Sequence, residues 1–259
     1  MKYPNLEKLI DIIAVLRSEN GCPWDREQTH KTLRPNMLEE AYEAVDAIDD
    51  GNIANLREEL GDVLLQVVLH AQIAKDNKEF DIEDVAKELS EKLIHRHPHV
   101  FGTTHVDSAD DVMANWDKLK KEEKKDRKSI LDGISKSQSA LMSAQKISKK
   151  VVKVGFEWQN VESLKDCIKS EYKEFEEAVD IGDKEKMEDE MGDIFFATVN
   201  LARWYKIDAE QALLTANRKF ISRFKMMEEL KTKPFEEYSF EEFNDLWKKA
   251  KIEIEKENR

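Results

Sequence analysis

From about residue 53 to 75 the apolar side chains keep a helical rhythm. Leu60, Val63, Leu64, Val67, Val68 and Ala71 fall at i, i+3, i+4, i+7, i+8 and i+11, the spacing that lines one face of an α-helix. Residues 36–49 hold neither Gly nor Pro and run into Asp50-Gly51-Asn52, a turn signal. A third helix is expected after Asp81, whose spacing to Asp84 has the form of a capping box, and it stops before Pro98. A fourth starts after Ser108 and carries Trp116 and Lys120. The same order returns downstream, with a turn at Asp180-Ile181-Gly182-Asp183 and a stripe of Met191, Ile194, Phe195, Thr198, Val199 and Ala202. Another helix follows Asp208, and Ser239 with Glu242 caps the last one. Trp247 and Lys251 stand 131 positions after Trp116 and Lys120, and Gly21-Cys22-Pro23-Trp24 is echoed by Gly155-Phe156-Glu157-Trp158. The pattern predicts an all-α fold, a tandem duplication of one four-helix unit, since two copies are too few for a solenoid. The charged run KLKKEEKKDRK at 118–128 reads as a solvated helix end leading into a linker, so domains are expected over 1–128 and 129–259.

Composition agrees with long helices. Among 259 residues there are only 8 Gly and 5 Pro, and 37% are charged. A net charge of −13 argues against nucleic-acid or anionic-membrane binding, although a bound metal ion can invert the field locally. Cys22 and Cys167 are too few for a disulfide framework, and no stretch is long and apolar enough to span a bilayer. The expectation is a cytoplasmic protein.

The chemistry sits in carboxylates that occur twice. Glu40 and Asp62 lie 11 positions either side of Gly51, and Glu43 and Glu59 lie 8 either side. Glu171, Glu174, Glu190 and Asp193 repeat that arrangement about Gly182, each 131 positions after its counterpart. If each segment is a hairpin turning at its glycine, two acidic pairs face each other across it. Repulsion makes such a pocket unfavourable without a cation. Solvated helix faces account for most isolated ExxE pairs, but not for mirror placement repeated at one offset. Gly61 and Gly192 recur inside the same ExGD pattern. Glycine is disfavoured inside helices by roughly 1 kcal/mol, so a helix or a ligand is expected to approach closely there. Oxygen-only ligands select Mg²⁺, with Mn²⁺ as a substitute. A di-iron centre would want ExxH pairs, and only Glu27–His30 has that form.

Mg²⁺ sites commonly share their ion with substrate phosphates, which need cations of their own. Lys92 and Arg96 are spaced i, i+4, as are Lys219 and Arg223, while Lys120 and Lys251 each follow a tryptophan by one turn. Trp116 and Trp247 serve equally as core anchors or as stacking surfaces for a base. All six histidines lie in the first half, and His95, His97 and His99 match no zinc-ligand spacing. Structural or substrate contacts suit them better.

With these residues assembled, the chain resembles the MazG family of nucleoside triphosphate pyrophosphohydrolases in its two-repeat form. The resemblance rests on GCPWDREQTHKTLRPNMLEEAYE at 21–43, REELGDVLLQVVLHA at 57–71 and KLIHRHPHVFG at 92–102. In the second half it rests on EDEMGDIFFATVNLARW at 188–204 and ANRKFISRF at 216–224. It implies an all-α, generally dimeric enzyme that uses Mg²⁺ to hydrolyse NTP or dNTP to NMP and pyrophosphate in nucleotide-pool housecleaning. The family pattern EExxE followed by ExxD is complete as Glu39, Glu40, Glu43, Glu59 and Asp62; in the second half Ser170 stands in the place of Glu39. The resemblance implies metal binding by Glu40, Glu43, Glu59 and Asp62, and by Glu171, Glu174, Glu190 and Asp193. Catalytic roles fall to Glu39, Glu40, Glu59, Glu171 and Glu190. Triphosphate and base contacts fall to Lys92, Arg96, Trp116, Lys120, Lys186, Lys219, Arg223, Trp247 and Lys251. The alternative is a helical module that binds nucleotide or a protein partner without turnover.

Overall fold

A computed structural model describes residues 3–123 and 128–257. Among them there are twelve α-helices and no strand. The chain divides into two compact units, Met1–Lys125 and Asp126–Arg259. The first contains α1 (Pro4–Leu16), α2 (Pro23–Glu27), α3 (Arg34–Asp49), α4 (Ile53–Asp76), α5 (Ile82–Arg96), α6 (Pro98–Phe101) and α7 (Ala109–Glu122). The second contains α8 (Ala140–Val152), α9 (Val161–Ile181), α10 (Lys184–Trp204), α11 (Ala209–Leu230), a 3₁₀ turn (Phe235–Glu237) and α12 (Phe240–Glu257). The four expected helices of each half are α3, α4, α5 and α7, and α9, α10, α11 and α12. Each set is preceded by a further helix, α1 or α8, that packs on the second member of its hairpin. The charged run 118–128 continues α7 to Glu122, and its residues 124–127 lie outside the described residues.

The two hairpins are built by the same local chemistry. Gly51 and Gly182 adopt φ of +65° and +72°, which side chains with a β-carbon rarely tolerate. Asn52 N–H donates back to Ala47 C=O and Asp183 N–H to Ala178 C=O, each at 3.1 Å, closing the preceding helix. The same two residues then cap the next helix, their side chains accepting from Asn55 N–H and Lys186 N–H at 3.1 Å. Asp81 with Asp84 and Ser239 with Glu242 form the expected reciprocal caps.

In the first unit Ile13 of α1 meets Val68, Leu69 and Ile73 of α4, with Leu33 entering from the residue before α3. In the second, α8 meets α10 through a buried polar pair, Ser148 Oγ donating to Asn200 Oδ1 at 2.6 Å. Gln145 on α8 also ties the start of α11, donating to Ile207 C=O at 2.7 Å and accepting from Ala209 N–H at 3.0 Å. The predicted apolar stripes are only partly interior. Val68 and Ala71 are buried, but Leu60 is 54% exposed and Phe195 58%. Leu60 and Phe195 both lie beside the carboxylates of their own hairpin and are left uncovered within their unit. A second apolar cluster joins α11 and α12 through Met227, Leu246 and Ala250, with Phe235, Tyr238, Phe243 and Trp247 around it.

Candidate active site

On α3, Glu39, Glu40 and Glu43 stand within about one turn, and on α4 Glu59 and Asp62 do the same. The antiparallel hairpin brings Glu40, Glu43 and Glu59 to where one carboxylate oxygen of each lies within 4.8 Å of the others. Glu171, Glu174 and Glu190 form the same triad between α9 and α10. Among the described residues these are the only groups of three or more acidic, histidine or cysteine side chains close enough to share a metal ion, and none includes a histidine. Asp62 and Asp193, expected as fourth ligands, stand outside that spacing. Aspartate is one methylene shorter than glutamate, so its oxygens reach less far from the helix. Asp62 is still near enough for its charge to act on Glu40 and Glu59. Glu39 is exposed, and its charge acts on Glu40.

The electrostatics fit a cation. No Lys or Arg among the described residues forms an ion pair with any of the six triad carboxylates. Burial first, then Asp62, Glu43 and Glu39, raises the Glu40 carboxyl above its ordinary range. Burial followed by Glu43 and Asp62 does the same for Glu59. Glu190 is only 8% exposed, and burial and Glu174 raise it while Lys186, one turn earlier on α10, pulls it down. A raised carboxyl favours the folded state fully below the ordinary value of 4.5 and loses that contribution as pH rises through the raised value. The metal-free protein therefore carries its repulsion at neutral pH. If a divalent cation binds these carboxylates, the gain in melting temperature on adding it is expected to be larger at pH 7 than at pH 5, which thermal scans with and without chelator would read. An equal gain at both would mean the carboxylates are not the ligands.

The two triads have different neighbours. In the first half Gln66, on α4 one turn beyond Asp62, is near enough to Glu40 to pull its carboxyl down against the other influences. The residue is 4% exposed, and its Oε1 is buried with no hydrogen-bond partner among the described residues. The position 131 residues later is Ala197. In the second half the Cys167 thiol donates to Glu171 Oε1 at 3.4 Å, and Ser170 Oγ donates to Glu174 Oε1 at 3.0 Å. Ser170, in place of Glu39, thus supplies a donor where the first half has another charge. Burial, the bond to Glu171 and the charges of Glu171, Asp193 and Glu174 push the Cys167 thiol up to about 11. Against the ordinary 9.0, alkylation by iodoacetamide at pH 8 is expected to be roughly 100-fold slower than at an unperturbed thiol. Timed peptide mass spectrometry checks this; modification at the unperturbed rate would contradict both the burial of the thiol and its contact with Glu171.

The expected cations and aromatics gather on the other two helices of each unit. The Arg96 guanidinium lies 5.4 Å from the Trp116 ring centre and Lys120 Nζ 4.8 Å, while Arg223 lies 5.5 Å from that of Trp247. Trp247 is also part of the α11–α12 core, with Phe220 against it at 5.2 Å. Arg96 is tied to Glu123 by two hydrogen bonds, one of them at 3.0 Å from Nε, so a phosphate has to displace a carboxylate there. Arg223 has no such pairing among the described residues. Lys92, Lys186, Lys219 and Lys251 are exposed. Of these, Lys186 is near enough to Glu190 for its charge to act on it. Gly61 and Gly192 have nothing within 4 Å of where a β-carbon would stand, so no helix of the unit approaches there. Of the two expectations for these glycines, only room for a ligand remains. Outside the expected set, His30 and His70 stack with Nδ1 atoms 2.8 Å apart, joining the segment before α3 to α4. No described helix is long and apolar enough to cross a membrane.

Comparison with known proteins places this geometry. The MazG nucleotide pyrophosphohydrolase domain matches residues 28–101 and again 159–227, each match containing one hairpin and its triad. The nucleoside triphosphate pyrophosphohydrolase/pyrophosphatase MazG of Thermotoga maritima is 46% identical, over 95% of this chain and 95% of its own length. The nucleoside triphosphate pyrophosphohydrolase of Escherichia coli K12 is 45% identical, over 87% of this chain and 88% of its own. A crystal structure of a mazG-related protein from Thermotoga maritima is similar at 32% identity, covering 44% of this chain and 98% of that one, with a TM-score of 0.39. With two copies of the domain in one polypeptide, this chain belongs to the MazG nucleotide pyrophosphohydrolase family.

Proposed function

We infer that this chain is a nucleoside triphosphate pyrophosphohydrolase that cleaves between the α- and β-phosphates, releasing nucleoside monophosphate and pyrophosphate. The observation that carries this reading is the pair of cation-free carboxylate triads, each inside a segment matching the family's domain. Mg²⁺ is the proposed cofactor, with Mn²⁺ able to replace it. Glu40, Glu43 and Glu59 with Asp62, and Glu171, Glu174 and Glu190 with Asp193, would hold it. Bound there, it supplies positive charge to phosphate oxygens and acidifies a water.

The chain's own side chains do the rest. Water attacks the α-phosphorus, the bond to the α–β bridging oxygen breaks, and pyrophosphate leaves with the electron pair. Glu59 and Glu190, whose carboxyls are raised above their ordinary range by burial and acidic neighbours, take the proton of the attacking water. Glu39 assists in the first half. Lys92, Arg96 and Lys120, and Lys186, Lys219, Arg223 and Lys251, balance the triphosphate charge, and Trp116 and Trp247 offer faces to the base.

The proposal extends to a homodimer of domains 1–128 and 129–259, working in the cytoplasm to clear unwanted nucleotides. The exposed apolar side chains Leu60, Leu64, Tyr42, Phe195 and Tyr172 on the hairpins support a covering partner. The test is a product assay with Mg²⁺ and a panel of NTPs and dNTPs, resolving nucleotides by chromatography and quantifying pyrophosphate. Monophosphate plus pyrophosphate, lost on chelation, is the expected result. Diphosphate plus phosphate would mean the wrong bond, and binding without product would move the assignment to a sensing module.

A further inference from the structure

We propose that His30 and His70 share one proton and so pin the open end of the first hairpin, acting as positioning residues for the Glu40, Glu43 and Glu59 triad. A second proton on the pair breaks the pin and loosens the triad's hold on a divalent cation. The part concerning the cation rests on the metal reading above; the shared proton does not.

The two Nδ1 atoms stand 2.8 Å apart, and the rings lie within 5° of parallel. A neutral imidazole has one N–H and one bare nitrogen, so one Nδ1 donates and the other accepts. Two lone pairs at that distance would repel each other, and so would two N–H groups. His30 is exposed and His70 partly buried, and burial followed by the His30 charge holds His70 below its ordinary 6.5. His30 therefore takes the first proton and donates, while His70 accepts. One positive charge on the pair strengthens the bond. A second, on Nδ1 of His70, abolishes it.

The charge that acts on His70 is that of His30. The other charged groups on the surrounding elements are Glu27, Lys31 and Arg34 beside His30, Arg17 of α1, and Lys75, Asp76, Asp81 and Asp84 along α4 and into α5. Arg17 is spent on Asp76 and on the Asp25 and Gln28 carbonyls, Lys75 lies 3.7 Å from Asp81, and Asp84 caps α5. The pin's contribution to stability is thus complete above 6.5 and is lost as pH falls from there through the lowered His70 value.

The pair sits where the hairpin needs a second tie. Gly51 turns one end of α3 and α4. At the other end Leu33 is buried against Val68, Leu69 and Ile73, and His30, three residues earlier, meets His70. Thr32 Oγ1 accepts from Thr29 N–H at 2.9 Å and Leu33 N–H donates to Thr29 C=O at 3.2 Å, so the segment is a compact turn that passes the tie on to Arg34, the first residue of α3. Glu40 and Glu43 stand on the second and third turns of α3 and Glu59 on α4, so a slide of one helix along the other parts the triad. Leu201 stands 131 positions after His70, and all six histidines belong to the first half. The second triad is therefore a reference that carries acidic ligands without a histidine in its unit.

Imidazole ¹H–¹⁵N NMR on the metal-free full chain reads the pair directly. Two rings titrating in separate steps, with one Nδ1–H between them above pH 7, is the expected result. Two rings titrating independently at one common midpoint would overturn the shared proton. Mn²⁺ binding, followed by electron paramagnetic resonance from pH 7.5 to 5, then tests positioning, in Glu190→Gln for the first triad and Glu59→Gln for the second. The first triad is expected to lose roughly 10-fold more affinity than the second across that range. His70→Leu, the residue of the second half, should weaken the first triad by roughly 10-fold already at pH 7.5. His70→Asn, whose amide oxygen accepts from His30 without titrating, should keep the affinity and remove the extra acid loss. A merely structural pair would lower the melting temperature of His70→Leu and leave Mn²⁺ affinity of the folded protein as it was. Equal acid losses in both halves would overturn the positioning role. No Mn²⁺ binding by the Glu190→Gln chain at pH 7.5 would overturn the metal reading and positioning with it, while the NMR result decides the shared proton by itself.

Discussion

The double variant Glu59→Gln/Glu190→Gln is expected to lose about 10²–10⁴-fold in metal-dependent nucleotide hydrolysis, the range for removing a general base. Glutamine keeps the size of each side chain but carries no charge and cannot take a proton, so ligand and base are removed together. Each single variant should lose only the share turned over by its own half. Comparing the two therefore assigns activity to a half, where Glu39 against Ser170 and Gln66 against Ala197 are the local differences. Loss of fold would not explain the result. Both carboxyls are raised by burial and by acidic neighbours, so neutralising them relieves repulsion in the metal-free protein. Melting at or above the wild-type temperature at pH 7 is the expected control. Full activity in the double variant would sink the assignment.

The largest effect on stability is expected from Leu33→Ala. Leu33 is 1% exposed and precedes α3, packed with Ile13 of α1 and with Val68, Leu69 and Ile73 of α4. Truncation removes buried methyl groups and leaves a cavity at a junction of three elements, which costs about 2–5 kcal/mol. For a unit of this size that corresponds to a fall of roughly 10 °C in its melting transition. The same residue sets where α3, and hence Glu39, Glu40 and Glu43, begins relative to α4. Activity from the first half should therefore fall below the melting point too, whereas the second half keeps its own core around Leu164 and Ala178. Calorimetry with the product assay separates the two effects; a shift under about 1 kcal/mol would mean that the junction closes over the missing side chain.

The hairpins and their acids were legible because both follow from local periodicity. Glycine at 51 and 182 demands a turn, helical spacing puts Glu40 with Glu43 and Glu59 with Asp62 on one face, and mirror placement sets the faces opposite. Helix α1 carries a signal of its own in the sequence. Leu9, Ile10, Ile13 and Leu16 are spaced as a helical stripe, yet they lie outside the repeated acidic segments. Gln66 also left a trace, as a polar residue inside the apolar run LGDVLLQVVLHA one turn beyond Asp62. A polar side chain in such a run is as readily a solvated position as a buried one, and only packing distinguishes the two.

Sequence alone determined the all-α duplicated architecture, the turn positions and which carboxylates share a face. Those depend on the 3.6-residue period and on glycine's backbone freedom, which act within a dozen residues. Tertiary structure alone decided which carboxylates meet, which stay apart and what else touches them. Asp62 stops short of the triad, Gln66 is buried near Glu40, Cys167 turns to Glu171 and Arg96 to Glu123, and Leu60 and Phe195 of the apolar stripes are left uncovered. Each of these outcomes depends on side-chain reach and on which helices pack together. Neither is contained in a pattern along one helix, because both are set by the packing between helices.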